Sequence, residues 1–321
     1  MLMLSDYELY QLDWRIGTAL MKALSNPKQS EPQLVANLVC ELSSTLNGLR
    51  LSNSMEIKAG GIFVHANPLV TWKSFTDKSK KSVEIGDLLL IRTLVTNNTV
   101  IERQALLLQA KKTDRIESIP DNNNQWHLYE QWPRFSYAER SGKLTGKKRH
   151  IKEPDMYDAA KYLMLHTGNH PSPRSSTDNC LQLCCLWHPF LGHYTAQPTP
   201  QRLSRLKCFI CELVAFIAGN GGKAFSKPES RTRGWNRVVQ DLITQTAKAK
   251  SIYMGRAKNQ MAKLPRMTWG GQSEHFMVVD QSFTEIGGVE ERLVYYLHDD
   301  IVGVSIIEMV LEQGAPNVLP A

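Results

Sequence analysis

Asp87, Gln109 and Lys111 are the residues of this sequence whose types and spacing suit a defined chemistry. They bracket two apolar runs, Leu88–Ile91 and Ala105–Leu108, and the residues between, Asn97–Asn98–Thr99, have good turn chemistry. If 86–96 and 100–111 form one antiparallel hairpin turning at Asn98, paired residue numbers sum to about 196. Asp87 then lies opposite Gln109. Side chains alternate along a strand, so Gln109 and Lys111 share a face and Ala110 points away. Directly opposed Cβ atoms are about 5 Å apart. A carboxylate, an amide and a lysine therefore gather at the open end of a buried hairpin. A one-residue slip would scatter them. Hydrolysis of a phosphodiester needs charge neutralised at phosphorus and a water made nucleophilic. Mg²⁺, or Mn²⁺ in its place, supplies both and takes oxygen ligands. Asp87, the Gln109 amide oxygen and the Ala110 carbonyl are candidate ligands. Lys111 is the candidate to orient the water or stabilise the phosphate.

The arrangement Gly86–Asp87–Leu–Leu–Leu, followed by Ala105–Leu–Leu–Leu–Gln109–Ala110–Lys111, resembles the PD-(D/E)XK, restriction-endonuclease-like nucleases. The resemblance covers roughly residues 30–165 and implies a mixed central sheet flanked by helices. The metal-binding Asp would open the second core strand, and the motif would close the third. It also implies a first acid on a preceding helix, for which Glu41 is the candidate. Gln125–Trp–His–Leu–Tyr129 is similar to the QxxxY helix of the RecB-like branch and makes Gln125 and Tyr129 candidate substrate-positioning residues. Two departures stand out. Gln109 replaces the usual acid, as in branches that carry QxK and remain nucleases, and Gly86 stands where a Pro is usual. The QxK form is also similar to nuclease subunits of bacterial anti-phage systems, Lamassu-type or cyclic-oligonucleotide-activated. That implies a regulated, Mg²⁺-dependent DNA endonuclease acting on double-stranded DNA, oligomeric when active. A regulatory partner, SMC-like or a sensor subunit, would control it. The alternatives are a catalytically inactive nuclease-fold interaction module and a zinc-stabilised regulatory protein.

The elements that must position these residues are legible in part. Residues 31–49 read as an amphipathic helix, with Leu34, Val35, Leu38, Val39 and Leu42 on one face and Asn47–Gly48 at its end. Residues 61–72 read as a strand broken near Pro68, 125–132 as the start of a helix, and 155–167 as a helical patch. Residues 168–180 read as a linker. It would separate a nuclease domain at 1–167 from an α+β regulatory, oligomerisation or partner-binding domain at 181–321. Within the latter, 181–187, 276–279 and 293–297 read as strands, and 200–218, 235–248 and 302–313 as helices.

The chain has 321 residues and a net charge of +7, which favours a polyanionic partner. The basic stretches at 73–81 and 143–152 are candidate phosphate contacts, Lys147, Lys148 and Arg149 above all, with Arg231, Arg233 and Arg237 as further candidates. No apolar run is long enough to span a membrane, and the N-terminus lacks the pattern of a secretion signal, so a cytoplasmic location without membrane contact is expected. Six cysteines, unevenly placed, fit reduced thiols. Cys184, Cys185, His188, His193, Cys208 and Cys211 could supply zinc ligands, but their apolar neighbours point to core cysteines, so structural zinc is not expected. Gly219–Lys223 is not a phosphate loop, because Ile217 replaces its first Gly; it reads as a helix stop.

Overall fold

The computed structural model describes residues 4–51, 55–64, 68–73, 81–97, 99–113, 123–151, 156–166, 193–200, 202–227, 230–246, 267–269, 273–275 and 303–313. Two helices open the chain. In α1 (Asp6–Ala23), Ser5 and Glu8 form a capping box, and Leu12, Ile16, Ala19, Leu20 and Ala23 turn inward. In α2 (Glu31–Leu46), Gln33 reaches back to the Ser30 N–H at 2.8 Å, and the helix stops at Asn47 before Gly48, whose φ is 75°. The strands that follow are β1 (Leu49–Leu51), β2 (Met55–Ile62), β3 (Leu69–Thr71), β4 (Val83–Glu84), β5 (Leu88–Thr96) and β6 (Thr99–Thr113). Next come α3 (Asn123–Gln131), β7 (Phe135–Tyr137), β8 (Lys148–Arg149), the short α4 (Met156–Ala159) and β9 (Ala160–His166). Beyond these lie β10 (Tyr194–Pro198), β11 (Leu203–Cys208), α5 (Phe209–Ala218), β12 (Lys223–Ala224) and α6 (Trp235–Thr246). A small β13–β14 hairpin (Met267–Trp269, Ser273–His275) and β15 (Ser305–Gln313) complete the described elements.

The main sheet runs β1-β2-β15-β5-β6-β9-β10-β11, with β12 joined to β6 beside β9. It is mixed: β15 is antiparallel to β2 and parallel to β5, and β6 is antiparallel to β5 and parallel to β9. Both faces are covered. Leu88, Leu90, Leu106, Leu108 and Ala110 pack with α1, α2 and α5. Leu89, Ile91, Ala105 and Leu107 pack with α3, α6 and a second sheet of order β4-β3-β7-β8. Burial on both faces explains why β5 and β6 read as continuous apolar runs.

The expected hairpin register holds from Leu88 opposite Leu108 to Leu94 opposite Glu102. The route to it differs from the expectation. Thr96 pairs with Thr99 across a tighter turn, with Asn97 at φ 49°, and a bulge between Leu94 and Val95 takes up Ile101 as the extra residue. Because both faces are apolar, burial alone would tolerate a slip. Buried Arg92 does not: its Nε donates to Ile217 O at 2.8 Å and its NH1 to Glu102 Oε2 at 2.9 Å. These bonds pin the pairing, since an unpaired buried guanidinium would cost several kcal/mol, of order 3–5.

Four expectations are corrected. Within 302–313, Ser305–Gln313 is a strand in the middle of the sheet, not a closing helix; Ile306, Ile307 and Val310 are β-branched, and Glu308 and Glu312, four residues apart, share a face in a helix and in a strand alike. The helical patch at 155–167 is one four-residue turn, after which the chain becomes β9. The helix expected from 200 begins at Phe209, after β11. Finally, β10, β11, β12 and β15 complete the sheet that β2, β5, β6 and β9 begin, so a boundary at 168–180 does not divide two cores. The expected linker and the strands at 181–187, 276–279 and 293–297 lie outside the described residues. Among the described residues no helix is long and apolar enough to cross a membrane.

Candidate active site

Asp87 is held by its backbone on two sides. Its N–H donates to Leu108 O at 2.9 Å, and its carbonyl accepts from Ser305 N at 3.2 Å, so β6 and β15 both fix the entry to β5. The preceding Gly86 passes too close to its neighbours for a side chain. A Cβ there would lie 2.7 Å from Leu107 Cδ1 and 2.9 Å from Tyr129 Oη. Helix α3 grips the same segment. Tyr129 Oη donates to Ile85 O at 2.8 Å, and Gln125 Nε2 donates to Glu84 O at 3.5 Å. The Gln125 and Tyr129 pair, expected to position substrate, thus positions the Glu84–Asp87 backbone. The Tyr129 ring is stacked obliquely on Tyr162, 5.3 Å between centroids.

The Asp87 side chain meets Gln109 as the register requires. Its Oδ2 accepts from Gln109 Nε2 and, at 2.8 Å, from Ala110 N. Both residues are buried, Gln109 completely. Among the described residues Gln109 Oε1 has no hydrogen-bond partner although it is buried. Such an orphan costs about 1–3 kcal/mol unless something satisfies it. Ala110 turns its N–H toward the β5 side, where β5 has not yet begun, and its carbonyl lies on that same edge of the strand.

Lys111 stands two residues further along the same face. Its Nζ donates to Glu31 Oε1 at 3.1 Å, while Glu31 Oε2 accepts from Lys112 N at 2.9 Å. Lys112 Nζ in turn donates to Gln29 O at 2.9 Å, which seats the turn before α2 on the end of β6. The helix acid at the site is therefore Glu31, not Glu41. Glu41 lies ten residues later, about 15 Å along the helix. Burial pushes its carboxyl up, and the charge of Lys22 on α1 partly offsets this. Glu31 is the first residue of α2, and only its place after the Ser30 cap marks it in the sequence.

Burial pushes the Asp87 carboxyl well above the usual range. Glu84 and Glu31 push it the same way; Lys111 and the Ala110 N–H oppose them. Asp87 therefore feels Glu84, Glu31 and Lys111 together, and a cation bound there would favour its charged form. Among the described residues, no three His, Cys, Asp or Glu side chains are placed to hold a metal ion by themselves. Any ion here would rely on Asp87 together with neutral oxygens, those of Gln109 and Ala110.

Other candidates lie elsewhere. Lys147 and Lys148 are exposed at β8, three strand spacings from β4, or about 14 Å. Arg149 is a structural residue and not a phosphate contact: it is buried, and its Nε and NH2 meet Asp241 Oδ2 and Oδ1 at 2.5 and 3.1 Å. Arg237 completes that group, 3.0 Å from Asp241 Oδ1. Cys184, Cys185 and His188 lie outside the described residues. His193 Nδ1 accepts from the His166 N–H at 3.1 Å, and burial lowers its pKa to about 4. The neutral ring then carries its proton on Nε2, which leaves neither nitrogen free for a metal. Cys211 is buried in the core beside Ile210.

Comparison of the chain with protein-family models, with curated proteins and with solved structures finds no match.

Proposed function

We propose that this chain is a metal-dependent endonuclease that hydrolyses DNA phosphodiesters, built on a restriction-endonuclease-like core. The observation that carries the reading is the buried contact of Asp87 with Gln109, whose Oε1 is left without a partner among the described residues. The succession of elements supports it: α2, then β2, β5 and β6, then α3 and β9 follow the order the resemblance implies. Asp87 immediately precedes β5, and the Gln109–Lys111 motif lies near the end of β6. The insertion of β15 between β2 and β5 departs from a simple succession and braces the Asp87 carbonyl.

Asp87, the Gln109 amide oxygen and the Ala110 carbonyl would hold Mg²⁺ or Mn²⁺, which when bound supplies charge neutralisation at phosphorus and a more acidic water. The rest falls to the chain's own groups. Gln109 fixes the Asp87 carboxylate through Nε2 and offers Oε1. Lys111, only partly buried, exchanges its Glu31 partner for a phosphate oxygen or the attacking water. Glu31 takes the role expected of Glu41, and Gln125 and Tyr129 hold the segment that delivers Asp87. The proposal extends to a regulated defence effector, oligomeric when active and answering to a partner, on the strength of the resemblance. The outward face of α1, with Tyr7, Tyr10, Trp14 and Met21 exposed, is an apolar surface suited to assembly.

The second reading, an inactive interaction module, is favoured by one observation: an uncharged Gln109 stands where a ligand acid is usual. Titration calorimetry with Mg²⁺ and Mn²⁺ separates the two. Glu31→Gln should weaken metal binding and DNA cleavage by about 10–100-fold, as loss of a supporting carboxylate does. Glu41→Gln should change neither by more than about twofold, since Glu41 lies about 15 Å along the helix from Glu31. The reverse order, or no metal binding in the unaltered protein, would count against the nuclease reading.

A further inference from the structure

Two basic segments far apart in sequence come together at the outer edge of the small sheet. His150 bridges to Arg233: its N–H donates to Thr232 O at 3.2 Å, and its carbonyl accepts from Gly234 N at 3.0 Å. Lys147 and Lys148 thereby stand beside Arg231 and Arg233, and all four are exposed. Arg149 and Arg237 are excluded from this surface because Asp241 holds them. The same ion group locks β8 onto α6, so the four exposed cations sit on a braced edge. The surface lies about 14 Å from β4, the strand that delivers Asp87, a span of roughly four phosphates along one strand of a duplex.

We propose that Lys147, Lys148, Arg231 and Arg233 form one phosphate-binding surface that takes the backbone of duplex DNA beside the cleavage site. Its place beside a cleavage site rests on the nuclease reading; its charge does not. A duplex backbone is favoured over single strands because stacking needs open rings, and Trp132, Phe135, Tyr137 and Trp235 of these elements are all buried. Backbone contacts of this kind set affinity without reading sequence.

The test is binding of labelled duplexes of several sequences, by fluorescence anisotropy in EDTA, across a salt series. Single strands and anionic vesicles form separate arms. Lys147→Ala/Lys148→Ala and Arg231→Ala/Arg233→Ala should each weaken duplex binding about tenfold for every sequence. Each pair should also lower the salt slope by about two, one for each phosphate no longer neutralised. Lys58→Ala, far along the main sheet, serves as control and should change nothing. Unchanged slopes in both double variants would overturn the proposal, as would a loss confined to single strands or to vesicles. Binding is read without metal, so a chain that binds duplex but never cuts it would sink the nuclease reading alone. Cleavage with unchanged binding in the variants would sink this surface alone.

Discussion

Lys111→Ala should lose metal-dependent DNA cleavage by about 10²–10³-fold, the usual effect of removing one group that stabilises charge in the transition state. Its fold should be intact. Lys111 lies at the end of β6, its side chain is partly exposed, and its ion pair with Glu31 is 3.1 Å long and partly open to water. Such a pair contributes about 0–1 kcal/mol. Binding of Mg²⁺ should survive too, because the lysine offers no oxygen; removing its charge from beside Asp87 and Glu31 should if anything tighten it. Cleavage, calorimetry and thermal melting on the one variant therefore separate three roles. Equal loss of stability and cleavage would assign Lys111 to the architecture, and undiminished cleavage would remove it from the mechanism.

Asp241→Ala should cost about 3–5 kcal/mol in urea unfolding, the penalty for stripping a buried ion pair of one partner. The substitution leaves Arg149 uncompensated in the core and frees Arg237 beside it. Arg149→Ala should destabilise to a similar degree and leave the salt dependence of DNA binding unchanged. This outcome distinguishes Arg149 from its neighbour Lys148, which in sequence carries the same signal of a basic loop. An Arg149→Ala protein of normal stability but weaker DNA affinity would reverse the assignment.

The contrast between those neighbours marks where sequence reasoning runs out. A run of basic residues does not say which one turns inward, and Arg149 turns inward because β8 alternates and Asp241, 92 residues away, awaits it. The site hairpin is more legible. Its apolar runs and turn residues place Asp87 against Gln109, yet the pairing is right at the site only because the Leu94–Val95 bulge offsets a turn one residue tighter than expected. Glu31 escapes notice because an acid at the first turn of a helix has an ordinary explanation in the helix dipole. Only the seating of the Pro27–Ser30 turn on Lys112 brings it to Lys111. Helix α1 is not among the expected elements, although the Ser5–Glu8 box and the spacing of Leu12, Ile16 and Ala19 mark it, whereas β15 is opaque: its place between β2 and β5 is a long-range pairing that no local pattern encodes.

The most direct measurement is incubation of the purified protein with circular and linear duplex DNA in Mg²⁺, Mn²⁺ or EDTA, beside Asp87→Asn. The expected result is cutting of the closed circle that requires metal and disappears in Asp87→Asn. Cutting that persists in Asp87→Asn, or no cutting with either metal, would contradict it.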